Sequence, residues 1–243
     1  MARECVFCGT TPVTAEHAWP DWIDKEVPLR GPASVLHTPT QGAPYWRGQH
    51  IRSRNTRVRR VCKTCNEGWM SELEEAVKPI LRPMLNGIAR TLNDGEQATL
   101  ATWAVKTAWM LDFIDSGHHP VVPKDHYSIL MNDKTPPAGV YVLAATYSGT
   151  KYGHYWWQQS LRFPPEKTAG IPPPHGYFST LCIGEVVIQV AGITAQGPTI
   201  RNLDPSHFVQ IWPYVTRIMW PPPLVLSDAS LEVVSQGTVP FFG

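Results

Sequence analysis

An α+β fold is predicted, with a small cysteine-clamped module leading into a helix and then an antiparallel β-rich body. Three observations carry this. Two Cys-x-x-Cys pairs, Cys5/Cys8 and Cys62/Cys65, bracket the first quarter of the 243-residue chain. Helical periodicity fills residues 66–116, and beyond Pro120 the texture changes to Val, Tyr, Trp and Thr runs broken by Pro and Gly, as in strands joined by loops. A hydrophobic content of 43% against 17% charged residues is enough to fill a core, which excludes global disorder. The expected division is residues 1–90 as the cysteine module and 91–243 as a helix plus β-rich domain of unassigned role.

In chain order, Val6-Phe7 between the first two cysteines and Gly9 after them have the shape of a chelating knuckle. Residues 28–54 read as an inserted loop. The run RGQHIRSRNTRVRRVCK reads as a strand with a cationic outer face, since Arg57, Arg59 and Lys63 partly alternate with Val58 and Val61. A helix is expected to start near Asn66. In GWMSELEEAVKPILRPML, Trp69, Leu73 and Val77 share one face, while Glu72, Glu74 and Glu75 turn towards water and Pro79 and Pro83 kink or stop the helix. Asn93 to Glu96 reads as a turn before a second helix at about 97–116, with Leu100, Ala104, Ala108 and Leu111 as its core stripe and Gly117 as its stop. Strands are expected at 140–147, 153–163, 177–191 and 207–211, the first two forming a hairpin across SGTKY. The proline clusters at Pro164, Pro172 to Pro174 and Pro221 to Pro223 belong to connections or edges. The aromatics Tyr155, Trp156, Trp157, Trp212, Tyr214 and Trp220 read as core, and His118, His119, Asp112 and Asp115 as a helix end and its loop. Cys182, in an apolar run, reads as a buried inert thiol.

No apolar run approaches the length of a membrane span, and MARECVFCGT has no uninterrupted apolar stretch of a secretory signal, so the expected location is cytoplasmic, with no membrane partner. Paired Cys-x-x-Cys spacing agrees, because it suits metal chelation better than disulfides. Four thiolates make a closed tetrahedral site, so Cys5, Cys8, Cys62 and Cys65 are expected to hold one structural zinc ion with no position left for substrate. The net charge of +1 hides an asymmetry: +5 over residues 1–66 and −4 over the rest. Between Val27 and Asn66 there is no acidic residue, and a polyanion is the natural partner of such a segment. Arg52, Arg54, Arg57, Arg59, Arg60 and Lys63 are the candidate nucleic-acid contacts, which position a backbone without reading its sequence.

Glu16-His17 lies eight residues or so beyond Cys8, and Asn66 directly follows Cys65. Cys-x-x-Cys, then Glu16-His17-Ala18-Trp19-Pro20, then Cys-x-x-Cys-Asn resembles the HNH, or ββα-metal, endonuclease family, in particular the zinc-stapled branch of the phage recombination endonuclease VII group. The resemblance covers about residues 3–78. It implies a zinc-bound ββα-metal (HNH-like) module and metal-dependent hydrolysis of phosphodiester bonds in DNA. It also implies His17 as general base and Glu16 as a ligand of a catalytic Mg2+ or Mn2+ ion, with Asn66 as the other protein ligand or as the residue that positions the scissile phosphate. Glu16 stands where the family more often has Asp, and the family's middle asparagine has only Asn55 as a counterpart. The alternative is a catalytically inactive HNH-like zinc module that binds nucleic acid or, through the C-terminal domain, another protein in host–phage conflict, in a bacterial or phage-infected cell.

Overall fold

The structure is a computed structural model that describes residues 3–27, 34–38, 45–47, 57–114, 122–161, 175–193 and 208–235. It is α+β. Strand β1 (Val13–His17) pairs antiparallel with β4 (Arg57–Cys62), and a short helix α1 (Ile23–Glu26) follows β1. Helical structure begins directly after Cys62 rather than at Asn66: a single turn α2 (Lys63–Cys65), a π-helical turn over Asn66–Met70 and then α3 (Ser71–Leu85). Gly68 inside that turn is non-helical (φ −93°, ψ −115°), so the axis kinks there.

Pro79 and Pro83 do not stop α3, which runs through both to Leu85. Pro83 has no N–H to give the carbonyl of Pro79, one turn back, and Arg90 Nη1 donates to that oxygen instead at 2.8 Å, and to Ile80 O at 3.0 Å. Strand β5 (Arg90–Leu92) leads into α4 (Asp94–Asp112). The expected turn at Asn93 to Glu96 is a capping box: Glu96 N donates to Asn93 Oδ1 at 2.9 Å, and Asn93 N donates to Glu96 Oε2 at 3.0 Å. The expected stripe Leu100, Ala104, Ala108 and Leu111 is buried, but so are Gln97, Thr102, Lys106, Thr107 and Asp112, because α4 is enclosed on all sides. Gly117, His118, His119 and Asp115 lie outside the described residues; Asp112 is buried and accepts from Gln158 Nε2 at 2.5 Å.

After α5 (Lys124–Asp133) come β6 (Val140–Tyr147), β7 (His154–Leu161), β8 (Gly176–Ile183), β9 (Val186–Ile193), β10 (Val209–Trp212), β11 (Ile218–Trp220), β12 (Val225–Leu226) and α6 (Asp228–Ser235). The expected single strand 177–191 is thus two strands joined at Gly184 and Glu185, with Gly184 at φ +54°. Both faces of this hairpin are covered, so no polar alternation marks the break. Nor do β6 and β7 pair. The spatial order β10-β6-β9-β8-β7 puts β9 beside β6, a Greek-key arrangement of β6 to β9. The SGTKY connection is held instead by Asp228, whose carboxylate accepts from Thr150 N at 3.4 Å, Lys151 N at 3.1 Å and the Tyr147 hydroxyl.

Within the expected inserted loop, β2 (Ser34–Thr38) and β3 (Tyr45–Arg47) are strands. Strand β2 pairs parallel with β7, Ser34 opposite Tyr155 through Thr38 opposite Gln159. The segment between the two cysteine pairs therefore extends the sheet of the C-terminal body. One face of that sheet, with Val142, Trp156, Leu181 and Ile188, shares a continuous core with α3, α4 and the knuckle residue Phe7; the other, with Leu143, Tyr155, Trp157, Phe178 and Val187, packs on α6 through Leu231 and Val234. Tyr155, Trp156, Trp157 and Trp220 are core residues, whereas Tyr214 is 45% exposed. Cys182 is buried, and burial pushes its thiol up. No helix among the described residues is long and apolar enough to cross a membrane.

Candidate metal centre and adjoining cleft

The first knuckle is a tight turn. Cys5 N donates to Thr10 O at 2.9 Å and Gly9 N to Cys5 O at 2.8 Å, with Gly9 at φ +74°. Val6 N donates to Arg60 O at 2.9 Å, which docks the turn on β4. Phe7 anchors it from below, edge-on to Trp69 at 4.9 Å and to Tyr127 at 5.7 Å. The second knuckle sits where β4 becomes helix, with Cys65 N 3.5 Å from Cys62 Sγ.

These two turns bring Cys5, Cys8, Cys62 and Cys65 together, all four Sγ atoms within 4.8 Å of one another and Cys8 and Cys62 at 3.5 Å. None forms a disulfide. A tetrahedron with metal–sulfur bonds of about 2.3 Å has edges of about 3.8 Å, so the set fits one tetrahedral ion with small shifts of the sulfur atoms. Burial raises Cys5 and Cys65. At Cys62 the same burial is outweighed by hydrogen bonds from the Thr10 hydroxyl and the Cys65 N–H, which bring the thiol down to about 6. Cys8 is lowered in the same way, burial being overcome by its contacts with Thr10. Four thiolates at this spacing need a cation to ionise together, and the four cysteines are positioned to bind a metal ion.

Closing the knuckles carries Asn66 to β1. The register of β1 against β4 shifts between Thr14 and Glu16, a bulge that re-aims the strand's end. Glu16, opposite Val58, turns inward and is 8% exposed, and Asn66 lines the same cleft. Burial lifts the Glu16 carboxyl to about 7; Lys106 opposes the rise, while Glu74 and Asp21 add to it. The two residues line a cleft of about 220 Å3 with Glu67, Met70, Ser71 and Glu74. One carboxylate and one carboxamide oxygen are hard donors, the kind that suit a magnesium or manganese ion.

His17 is not among the residues lining that cleft. Strand alternation turns it the other way, where its Nδ1 lies 2.8 Å from Asp21 Oδ1 and its side chain is 21% exposed. Arg57 stands directly opposite His17, and both Arg57 and Arg59 are exposed on that side. Arg60 is drawn back over the Phe113 ring at 4.9 Å, and Lys63 lies 3.7 Å from Glu67. Arg52 and Arg54, like Asn55, lie outside the described residues.

Three participants were not legible in the sequence. Glu74, expected to face water, instead pairs with Lys106 Nζ at 2.9 Å. Lys106 has no exposed surface. Its one signal was a lysine inside the otherwise apolar AVKTAWML. Asp21 lies four residues after His17, a spacing that brings side chains together only if the chain turns, as it does at Pro20 to Trp22. Comparison with family models, curated proteins and solved structures returned no match to this chain.

Proposed function

We propose that this chain is a zinc-stapled, divalent-metal-dependent phosphodiesterase acting on nucleic acid, DNA in the first instance, with an HNH-like centre. The observation that supports it most is that the buried Glu16 carboxylate and Asn66 line one cleft, which exists because two distant Cys-x-x-Cys knuckles converge. The four-cysteine set takes zinc, whose preference for four sulfur ligands it matches, and the role of that ion is structural. Glu16 and Asn66 would hold a magnesium or manganese ion, which when bound supplies Lewis-acid stabilisation of charge on the phosphate.

The chain's own groups divide the remaining work. Asp21, 2.8 Å from His17 Nδ1, balances the charge the imidazole gains as its Nε2 accepts the proton of the attacking water. Arg57, with its Cβ about 5 Å from that of His17 by cross-strand pairing, and Arg59 contact backbone phosphates on the same side. A second reading, binding without cleavage, is favoured by one feature: Glu16 lines the cleft and His17 does not.

One experiment tests both. Purified protein is assayed for bound zinc and incubated with plasmid and single-stranded DNA, with Mg2+, Mn2+ or chelator, beside His17→Ala. About one zinc per chain is expected, with nicking that needs the added ion and is roughly a hundredfold slower in His17→Ala. Salt-sensitive binding without nicking establishes the second reading, and equal nicking by both proteins removes His17 from the chemistry.

A further inference from the structure

Lys106 sits in the middle of α4, in the half of the chain that follows the cysteine module, with no exposed surface. Its Nζ lies 2.9 Å from Glu74 Oε1, across the contact between α3 and α4. A buried ammonium persists only where carboxylates balance it. Glu74, in the cleft wall, is one, and Glu16 also feels the Lys106 charge. Glu67, the remaining carboxylate of the wall, is 65% exposed and faces Lys63.

The buried wall of the cleft therefore carries the carboxylates of Glu16 and Glu74 beside the neutral Asn66 carboxamide, with the Lys106 ammonium set behind Glu74. The affinity of an oxygen site for a divalent ion follows its count of negative ligands. A site with at most one net negative charge grips such an ion poorly by itself, and a phosphate oxygen supplies the missing negative ligand.

We propose that Lys106 is a positioning residue that serves as a tethered counter-cation. It holds Glu74 in the cleft wall and keeps the Glu16–Asn66 site weak for a free divalent ion, so that the ion is bound firmly only together with a nucleic-acid phosphate. This rests on the reading of Glu16 and Asn66 as ligands of the ion. It makes the site composite, since the module that carries the cysteines takes one of its charges from α4.

The test measures Mn2+ affinity calorimetrically on the full, zinc-loaded chain. Lys106→Met is expected to bind Mn2+ at least about tenfold more tightly than the parent, and Glu74→Gln at least about tenfold more weakly, because each changes one charge beside the site. The double variant, which removes both charges, is expected to return to within about threefold of the parent. In the His17→Ala background a DNA duplex is expected to tighten Mn2+ binding at least about tenfold, through the added phosphate ligand.

A purely structural lysine would not tighten metal binding when removed. Lys106→Met no tighter than the parent, or Glu74→Gln no weaker, overturns the proposal. If Lys106→Met loses its folded circular-dichroism spectrum, Glu74→Gln and the double variant decide. Mn2+ binding by none of the proteins overturns this proposal and the metal-site reading together. The expected affinity pattern without DNA cleavage leaves Lys106's role standing and removes the hydrolase reading alone.

Discussion

Glu16 and His17 are neighbours in the chain, yet the strand turns one into the cleft and the other away from it, beside Asp21. Their ionisation differs accordingly. Burial raises the Glu16 carboxyl from 4.5 to about 7, with Lys106 opposing. A carboxyl that protonates more readily in the folded state lends its full share of stability below pH 4.5, and loses that share as pH rises through about 7. In buffer free of divalent ions, Glu16→Gln is therefore expected to flatten the pH dependence of Tm across this window. Above it, the substitution is expected to stabilise the fold by up to about 3 kcal/mol. A Glu16→Gln melting curve that keeps the parental slope between these pH values would show that some other group carries the dependence.

At the scale of elements, α3 holds two prolines that sequence reasoning takes as breaks, and it survives both. The carbonyl that Pro83 leaves without a donor, Pro79 O, is filled by Arg90 from the following strand. Arg90 also pairs with Glu96, the residue that completes the capping box of α4. One side chain thus closes the end of one helix and braces the start of the next. Arg90→Ala is expected to lower the free energy of unfolding by about 1–3 kcal/mol, since it strands a carbonyl and an acid together. Urea denaturation measures this, and a loss of a few tenths only would mean that water satisfies Pro79 O. The start of α4 illustrates the same ambiguity in sequence reading. Asn-Asp-Gly-Glu is turn chemistry, and it is also an N-cap with its reciprocal glutamate; what selects the second is the apolar helix that follows and the core ready to enclose it.

Across the whole molecule, the segment between the cysteine pairs ties the two halves together. Strand β2 pairs with β7, Phe7 and Trp69 join the core that contains Trp109 and Trp156, and Lys106 of α4 pairs with Glu74 in the cleft wall. A fragment ending at residue 90 would leave one face of α3 and the edge of β2 without partners. It is expected to show no cooperative thermal transition even with zinc bound, whereas the full chain melts cooperatively; a sharp melt of the fragment would make the first 90 residues an independent domain.

The cysteine spacing was by itself enough to predict that residues far apart in sequence converge on one metal site, because chelation depends on donor type and local turn geometry, both written in Cys-x-x-Cys and Gly9. The Arg57–Arg59 face was equally readable, since alternation along an edge strand is local. Which strands pair was not. A sheet covered on both faces shows no alternation to mark its register, and so β6 sought its partner in β9 rather than in β7, the nearest in sequence. Nor did the sequence say that Lys106 and Glu74 would meet. Burial of a charge is decided by which helix faces come into contact, a property of the assembled core and of no single segment.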